Sequence, residues 1–435
     1  MNAATDKPTK LMITQKTKHA AAAALALVAA TTSGVHLAAQ DSGALVDALV
    51  RREILTVQEA EEIRAELLRE ANASIISAIA KGKATNALSI SGRIQGQYAG
   101  LQSDAPGTNP PAVNHFLIRR VYLGVDAKIG AEWAASLNYD FAGNLFDKAF
   151  ISWGKVLGAH EIDINAGLRK VNFGLEETTS SGNLAAIERS AATRYFVEDN
   201  NGRRLGAASY RVGLFLDGNK SAASGKKNGF FYGAAVTNPE RVATASDVGN
   251  VTTNTVALWA NVGYGQKFSD VATTFGVAAG YLPGQGGASA SDAAAEGGET
   301  FVASLYGTLK AGAFTLQAEL LLASISDIPN VPDISPWGFW VQPSFKITDN
   351  IELLARYSYV DSDGRGVRVS DGIRSSASVG SAGTGDALHE YFIGANYYFV
   401  GNDVKFQIGY VGGKTTGATR NETVNGLRSQ IQINF

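Results

Sequence analysis

The last nine residues of the chain alternate between apolar and polar side chains and end on an aromatic residue. Side chains of a β-strand point to opposite faces with a period of two, so this segment would present one apolar and one polar face. A strand of that kind suits a wall between lipid and water, which predicts the closing strand of a membrane barrel. The apolar face carries Leu427, Ile431, Ile433 and Phe435, and the polar face carries Arg428, Gln430, Gln432 and Asn434.

The same alternation returns in segment after segment upstream. Counting these segments and the turns between them, we expect about sixteen antiparallel strands of roughly ten or more residues, with the last strand pairing with the first. Short turns alternate with long Gly/Ser-rich connections, as expected when tight turns lie at one end of a barrel and long loops at the other. The clearest strand segments begin at Leu88, Trp133, Ile162, Phe314, Ile351 and Val404; the turns include Gly130-Ala131, Gly312-Ala313 and Asp349-Asn350, and the long connections Gly284 to Gly298 and Asp361 to Asp386.

Composition narrows the class further. With no cysteine, the chain has neither a disulfide framework nor thiolate chemistry, and a net charge of −2 provides no general basic field for nucleic acid. A soluble β-propeller would repeat a blade motif every 40–50 residues or so, and no such period is visible. We therefore predict an all-β fold, a transmembrane antiparallel β-barrel of about sixteen strands, over residues 88–435.

The N-terminal part differs from the rest. Residues 1–39 have the pattern of a signal peptide: lysines, an apolar run from Ala20 to Ala30, and small residues at Ala38 and Ala39. The apolar run is shorter than the roughly 20 residues that a spanning helix needs. In residues 40–84 apolar side chains recur every three or four positions after a capping-box pattern at Thr56–Glu59, which predicts a short periplasmic α-helical segment. This segment would either trimerise as a coiled coil or pack as a plain surface helix.

Three segments in the first half of the barrel resemble the phosphate-selective porin O and P family. They are His115–Gly124, which contains the paired arginines Arg119 and Arg120, Phe146–Trp153, and Asn172–Ser181 with its continuation Ile187–Ser190. The resemblance implies a sixteen-stranded outer-membrane barrel, a homotrimer, and a constriction loop at about 172–204 folded into the pore. It also implies anion passage past arginines and serines. Phe435 resembles the terminal aromatic signature that the barrel-assembly machinery reads.

The candidate pore residues are cations and hydroxyls that would attract an anion and replace part of its hydration shell. Arg93 and Arg120 fall on the lumen-facing parity of their strands. Arg119 has the opposite parity, so it must lie near a bulge or a strand end to reach water. The loop serines and Arg189 have a second interpretation, as a structural loop network. The full set is Arg93, Arg119, Arg120, Lys148, Arg169, Ser180, Ser181 and Arg189.

Acidic side chains argue against tight phosphate selectivity. Glu176, Glu177 and Glu188 lie in the predicted constriction loop, and further carboxylates have lumen parity. A constriction of mixed sign selects weakly, so a general porin with a mixed-charge eyelet is the alternative. The lumen-parity acids are Asp140, Glu161, Asp163, Glu319, Glu352 and Glu390.

Other classes lack support in the sequence. A barrel enzyme needs a nucleophile beside an activating base, but His115, His160 and His389 stand isolated at strand starts. We expect no catalytic residue, metal or cofactor, and a closed structural barrel is a lesser alternative. The sequence thus predicts an outer-membrane porin, in contact with lipid, through which small hydrophilic solutes diffuse passively with a preference for anions.

Overall fold

The computed structural model describes residues 85–105, 112–158, 160–225, 227–242, 244–249, 254–285, 298–328, 330–374, 379–417 and 421–435. Across these residues, sixteen strands form one closed barrel in which each strand neighbours the next along the chain and β1 pairs with β16. The predicted all-β barrel of about sixteen strands is therefore confirmed. The predicted signal peptide (1–39) and helical segment (40–84) lie outside the described residues.

The strands begin at Thr85, three residues before the predicted start at Leu88, and end at Asn434. Within the described ranges, no helix is both long and apolar enough to cross a membrane. The strands are β1 (Thr85–Ser103), β2 (Ala112–Ile129), β3 (Trp133–Asp140), β4 (Leu145–Leu157), β5 (His160–Lys170), β6 (Tyr210–Gly218), β7 (Gly229–Thr237), β8 (Ala257–Phe268), β9 (Val271–Pro283), β10 (Glu299–Ala311), β11 (Phe314–Ser326), β12 (Trp337–Lys346), β13 (Ile351–Asp361), β14 (Ala387–Val400), β15 (Val404–Thr416) and β16 (Thr423–Asn434). The helices are α1 (Leu175–Thr178), α2 (Ala191–Val197), α3 (Lys220–Ala223) and α4 (Val369–Gly372), with a 3₁₀ turn at Ala245–Gly249.

The alternation in β16 produces two chemically distinct faces. Ile431 and Ile433 point outward and are about half exposed, at 52% and 47%, whereas Gln430 and Gln432 point inward and are buried. The outer face of β16 thus presents apolar side chains, and the inner face presents polar side chains to the lumen. This is the arrangement that the period-two pattern predicted.

The shortest turns and the longest loops lie at opposite ends of the barrel. Gly130-Ala131 joins β2 to β3 and Gly312-Ala313 joins β10 to β11, both as predicted. Gly130 and Gly312 have φ values of 64° and 56°, a left-handed conformation that glycine adopts without steric cost. Among the connections at the other end, the one between β5 and β6 runs from Val171 to Ser209; we call it the inner loop.

The buried core lies between the inner loop and the barrel wall. Every residue of α2 is buried, and α2 contacts strands β11 to β14. Phe173 and Phe196 of the loop belong to the same apolar cluster as Trp340 and Leu388 of the wall. A sixteen-stranded barrel is wide enough to leave an aqueous channel. The loop fills part of that width, which sets the cross-section of the remaining passage.

Candidate functional site

Carboxylates and an arginine of the wall hold the beginning of the inner loop. Glu319 on β11 accepts hydrogen bonds from the backbone N–H groups of Leu175 (3.0 Å) and Glu176 (3.3 Å). Arg356 on β13 donates to the carboxylate of Glu176 (3.0 Å) and to that of Glu390 on β14 (2.7 Å). These side chains are all buried, and breaking a buried pair of this kind costs far more than breaking a surface pair.

Amide and ammonium donors on β15 and β16 hold the middle of the loop. Gln432 donates to the backbone carbonyl of Gly182 (3.0 Å). Lys405 and Gln407 both donate to the carbonyl of Leu184, at 2.8 Å and 3.2 Å. The loop is therefore fixed to the wall from β11 to β16. The open passage lies on its other side, against β1 to β6.

This passage is a cavity of about 530 Å³ between the inner loop and strands β1 to β6. Of the described residues that line it, nine are basic and five are acidic, so the lining carries a surplus of positive charge. The basic residues are Arg93, Arg119, Arg120, Lys170, Arg189, Arg194, Arg204, Arg241 and Arg374, and the acidic residues are Asp140, Asp147, Glu177, Glu198 and Asp199. Ser180 and Ser181 contribute hydroxyls to the same lining.

Arg119 and Arg120 both face the passage although they are adjacent in β2. Before them the even-numbered Phe116 and Ile118 are exposed, at 84% and 60%, and after them the odd-numbered Leu123 is exposed, at 44%. The outward parity therefore changes between the two arginines. The sequence analysis predicted that Arg119 reaches the lumen only near a bulge or a strand end, and this local irregularity meets that condition.

Two of the lining arginines contact uncharged partners. Arg93 donates to the hydroxyls of Ser181 (2.7 Å) and Ser180 (3.2 Å), and Arg120 donates to the side-chain oxygen of Gln95 (2.7 Å). Within the described part of the chain, neither arginine forms an ion pair. Their charges are therefore not neutralised by a carboxylate.

Other lining cations are paired. Arg119 binds Glu188 (2.6 Å), and Lys170 and Arg189 both bind Glu177 (2.7 Å and 3.0 Å). Burial alone would raise the pKa of Glu177, but the two cations outweigh it and lower that pKa to about 2. Burial likewise opposes ionisation of Glu188, and its arginine neighbours hold its pKa well below the usual range. Both loop carboxylates are thus charged at neutral pH.

A second cluster of ion pairs lies farther along the lining. Arg194 and Arg204 bind Glu198, at 2.8 Å and 3.1 Å, and Arg374 binds the same carboxylate. Three cations around one carboxylate overcome its burial and keep the pKa of Glu198 well below the usual range. This cluster leaves a net positive charge beside the passage.

Two predicted pore residues do not line the passage. Lys148 pairs with Asp126 (2.9 Å), and Arg169 pairs with Asp217 (2.5 Å) while its guanidinium lies 4.9 Å from the ring centre of Phe215. Lys148 on β4 is thus held by β2, and Arg169 on β5 is held by β6 and by Asn172 at the start of the inner loop, to which it donates at 2.7 Å. Among the predicted loop acids, Glu176 faces the wall, where it meets Arg356.

The sequence analysis missed five lining cations: Lys170, Arg194, Arg204, Arg241 and Arg374. Strand parity carries no information about Arg241 and Arg374, because they lie in loops. For Arg194 a signal existed, since its spacing of four residues from Glu198 fits an ion pair on a helix, and the two residues form one.

Comparisons with known proteins agree with this architecture. The sequence model of the family described as phosphate-selective porin O and P matches residues 88–435. Among solved structures, an anion-selective porin from Comamonas acidovorans is similar at 12% identity, with 80% of this chain and 99% of that chain covered and a TM-score of 0.53. The OprB protein of Pseudomonas putida is similar at 11% identity, with 85% and 96% covered and a TM-score of 0.50. At such identities these likenesses concern the fold alone. No curated protein matches the chain significantly.

Proposed function

The chain belongs to the phosphate-selective porin O and P family and is an outer-membrane channel for small solutes rather than an enzyme, and we propose that this channel prefers anions, phosphate or similar. The predicted family is thereby confirmed. Solutes would cross passively, through the cavity between the inner loop and strands β1 to β6.

The observation that carries the proposal is that no carboxylate of the described residues pairs with Arg93 or Arg120. A guanidinium stays charged at every physiological pH and offers a planar fork of donors to an oxyanion. The hydroxyls of Ser180 and Ser181 lie beside Arg93 and would replace water around a passing anion. Both features favour anions over cations in the same part of the passage.

Arg189 has a different role in this proposal. It binds the Glu177 carboxylate and donates to the backbone carbonyls of Glu176, Glu177 and Thr179. These bonds occupy its Nε and Nη2 donors within the inner loop. We propose that Arg189 holds the loop in shape, while Arg93 and Arg120 meet the solute.

The mixed-charge alternative rests on the five acidic residues in the lining. A weakly selective porin would pass small cations nearly as readily as anions. Reversal potentials distinguish the two functions, because they report the anion-to-cation permeability ratio directly. In a planar bilayer with a potassium chloride gradient, an anion-preferring channel gives a reversal potential displaced toward that of chloride.

A charge reversal at Arg120 is the decisive variant. Arg120→Glu should lower the anion-to-cation permeability ratio by roughly fivefold. Two charge units about 7 Å from the solute in a water-like medium act in opposite directions on anion and cation, and salt screening reduces the effect. Lys148→Gln is the matched control, since Lys148 is a strand cation outside the lining. An unchanged ratio in Arg120→Glu would reject the proposed role.

We further propose that the protein is a homotrimer, exported with removal of the signal peptide 1–39 and inserted into lipid by the barrel-assembly machinery through Phe435. The apolar outer face, with Phe116 84% exposed and Phe435 67% exposed, supports contact with acyl chains. Cross-linking in native membranes, heat-modifiable migration on gels and N-terminal sequencing of the mature protein test these points separately. A monomer, or a chain that retains residue 1, would refute the corresponding statement.

A further inference from the structure

Four charged side chains in the passage have no ion-pair partner among the described residues. Two are the cations Arg93 and Arg120, and two are the anions Asp140 and Asp147. Each of the other lining charges takes part in at least one ion pair. The unpaired charges of the passage are therefore equal in number and opposite in sign.

These four residues lie on consecutive strands, with the cations on one side and the anions on the other. Arg93 is on β1, Arg120 on β2, Asp140 at the end of β3 and Asp147 on β4. Tyr122 of β2 stands at the boundary: the guanidinium of Arg93 lies 5.5 Å from its ring centre, and Asp140 is its direct partner across the β2–β3 ladder. The unpaired charges of the passage wall are thus divided into a cationic half on β1 and β2 and an anionic half on β3 and β4.

The ladder register sets the distance between the two halves. Arg120 precedes Tyr122 by two residues on the same face, so Arg120 and Asp140 are diagonal neighbours across two strands. Such neighbours are about 7–8 Å apart at their backbones. One small molecule can therefore touch both halves at once.

The aspartates keep their acceptor capacity toward the passage. Oδ1 of Asp140 accepts the backbone N–H groups of Val121 and Ala142, both at 3.1 Å, which leaves the second carboxylate oxygen. Asp147 accepts a hydrogen bond from the hydroxyl of Tyr210. The ammonium group of a solute could pair with these carboxylates, just as the carboxylate of a solute could pair with Arg93 and Arg120.

We propose that the passage admits small zwitterions, free amino acids being the simplest, faster than uncharged molecules of the same size. This inference rests on the proposed channel function and deepens it. A zwitterion satisfies the cationic and anionic halves together, whereas a simple anion meets Asp140 and Asp147 as repulsive charges. The passage would therefore favour zwitterions, through its two oppositely charged halves, as well as anions, through its surplus of positive charge.

The test compares alanine with lactamide in a proteoliposome swelling assay. The two molecules have the same atoms, and neither carries net charge, but only alanine is a zwitterion at pH 7. Wild-type protein should admit alanine faster than lactamide. Asp147→Asn keeps an acceptor for Tyr210 and removes the charge, and it should lower the alanine-to-lactamide rate ratio by about threefold, from one unit charge about 7 Å away in water.

Two further variants complete the design. Arg120→Gln should also lower the ratio, because the solute carboxylate loses its partner. Asp126→Asn is the matched control, since Asp126 pairs with Lys148 and does not line the passage, and it should leave the ratio unchanged. Absence of any potassium chloride conductance would refute the channel function itself. Normal conductance with equal alanine and lactamide rates, or with no effect of Asp147→Asn, would overturn the zwitterion inference alone.

Discussion

Oε1 of Glu319 on the barrel wall lies 3.0 Å from the backbone nitrogen of Leu175, at the start of the inner loop. The same carboxylate accepts bonds from Glu176, from the hydroxyl of Ser304 and from the indole N–H of Trp340. Four donors thus converge on one buried side chain. Because the loop narrows the passage, this carboxylate helps to set the cross-section of the channel from the far wall.

Glu319→Leu should loosen the inner loop. The substitution leaves buried donors without acceptors, at a cost of about 1–3 kcal/mol for each unsatisfied group. We expect noisier single-channel currents and a lower unfolding temperature of the detergent-solubilised barrel. Glu132→Gln is the control, because Glu132 pairs with Lys155 near the short-turn end, away from the loop. Quiet currents and an unchanged unfolding temperature in Glu319→Leu would show that the loop does not depend on this carboxylate.

Glu188→Gln should strengthen the preference for anions. Glu188 neutralises Arg119 at 2.6 Å and lies 3.7 Å from Arg374. Its neutral analogue would leave one more positive charge beside the passage, so the anion-to-cation permeability ratio should rise by about threefold. The measurement is the reversal potential in a salt gradient. Glu161→Gln is the control, because it frees Lys227, which does not line the passage, and it should leave the ratio unchanged. A fall of the ratio in Glu188→Gln would contradict the charge assignment.

The barrel could be predicted from the sequence because its strands repeat the same alternation of apolar and polar side chains. Alternation in β16 and the turns at Gly130 and Gly312 follow from local chemistry, and the structure has them where the pattern predicted them. The position of Arg120 follows from the same parity. For Arg119 the sequence predicted a lumen position only on the condition that its strand is irregular nearby.

Strand parity and turn chemistry do not predict which charged residues form ion pairs with each other. Glu177 meets Lys170 from β5 and Arg189 from its own loop, and Glu198 meets Arg374 from the connection between β13 and β14. These contacts join positions far apart in sequence through a loop whose path no periodicity encodes. The sequence therefore named many of the pore cations but not which of them are neutralised.

Acid should weaken the fold through Glu177. Its pKa in the folded protein is about 2, below the value of about 4.3 expected in an unfolded chain. A carboxylate with a depressed folded pKa contributes stability that is complete above the unfolded pKa and is lost as pH falls through the folded pKa. The unfolding temperature should thus stay level from pH 7 to about pH 5 and fall as pH is lowered toward 2.

The variant Glu177→Gln separates the contribution of Glu177 to acid sensitivity from the contributions of the other carboxylates. Glu177→Gln cannot titrate at position 177, so the difference in unfolding temperature between wild type and variant should be largest near neutral pH and shrink below about pH 4. Thermal unfolding followed by circular dichroism across this pH range provides the measurement. A difference that stays constant with pH would mean that the pKa of Glu177 is the same in the folded and unfolded chain, and that its ion pairs do not stabilise the fold.

Gly182 should affect anion selectivity because the guanidinium of Arg93 packs directly against it. A Cβ built at this position would come within 2.6 Å of the guanidinium carbon of Arg93, so Gly182→Ala forces that side chain to move. The guanidinium is a flexible side-chain end and can shift without unfolding the barrel, but it would leave the hydroxyls of Ser180 and Ser181. We expect a normal unfolding temperature and an anion-to-cation permeability ratio about twofold lower, less than complete removal of the charge would cause.

Gly96→Ala is the matched control for this last variant. Gly96 lies on β1 as Arg93 does, but a Cβ there would have Ile431 as its nearest neighbour, at 3.8 Å, an ordinary contact. Both glycine variants should fold, and only Gly182→Ala should change the reversal potential. Equal selectivity in the two variants would imply that the position of the Arg93 guanidinium does not control anion passage, because its displacement is the one difference that the substitutions introduce at the passage.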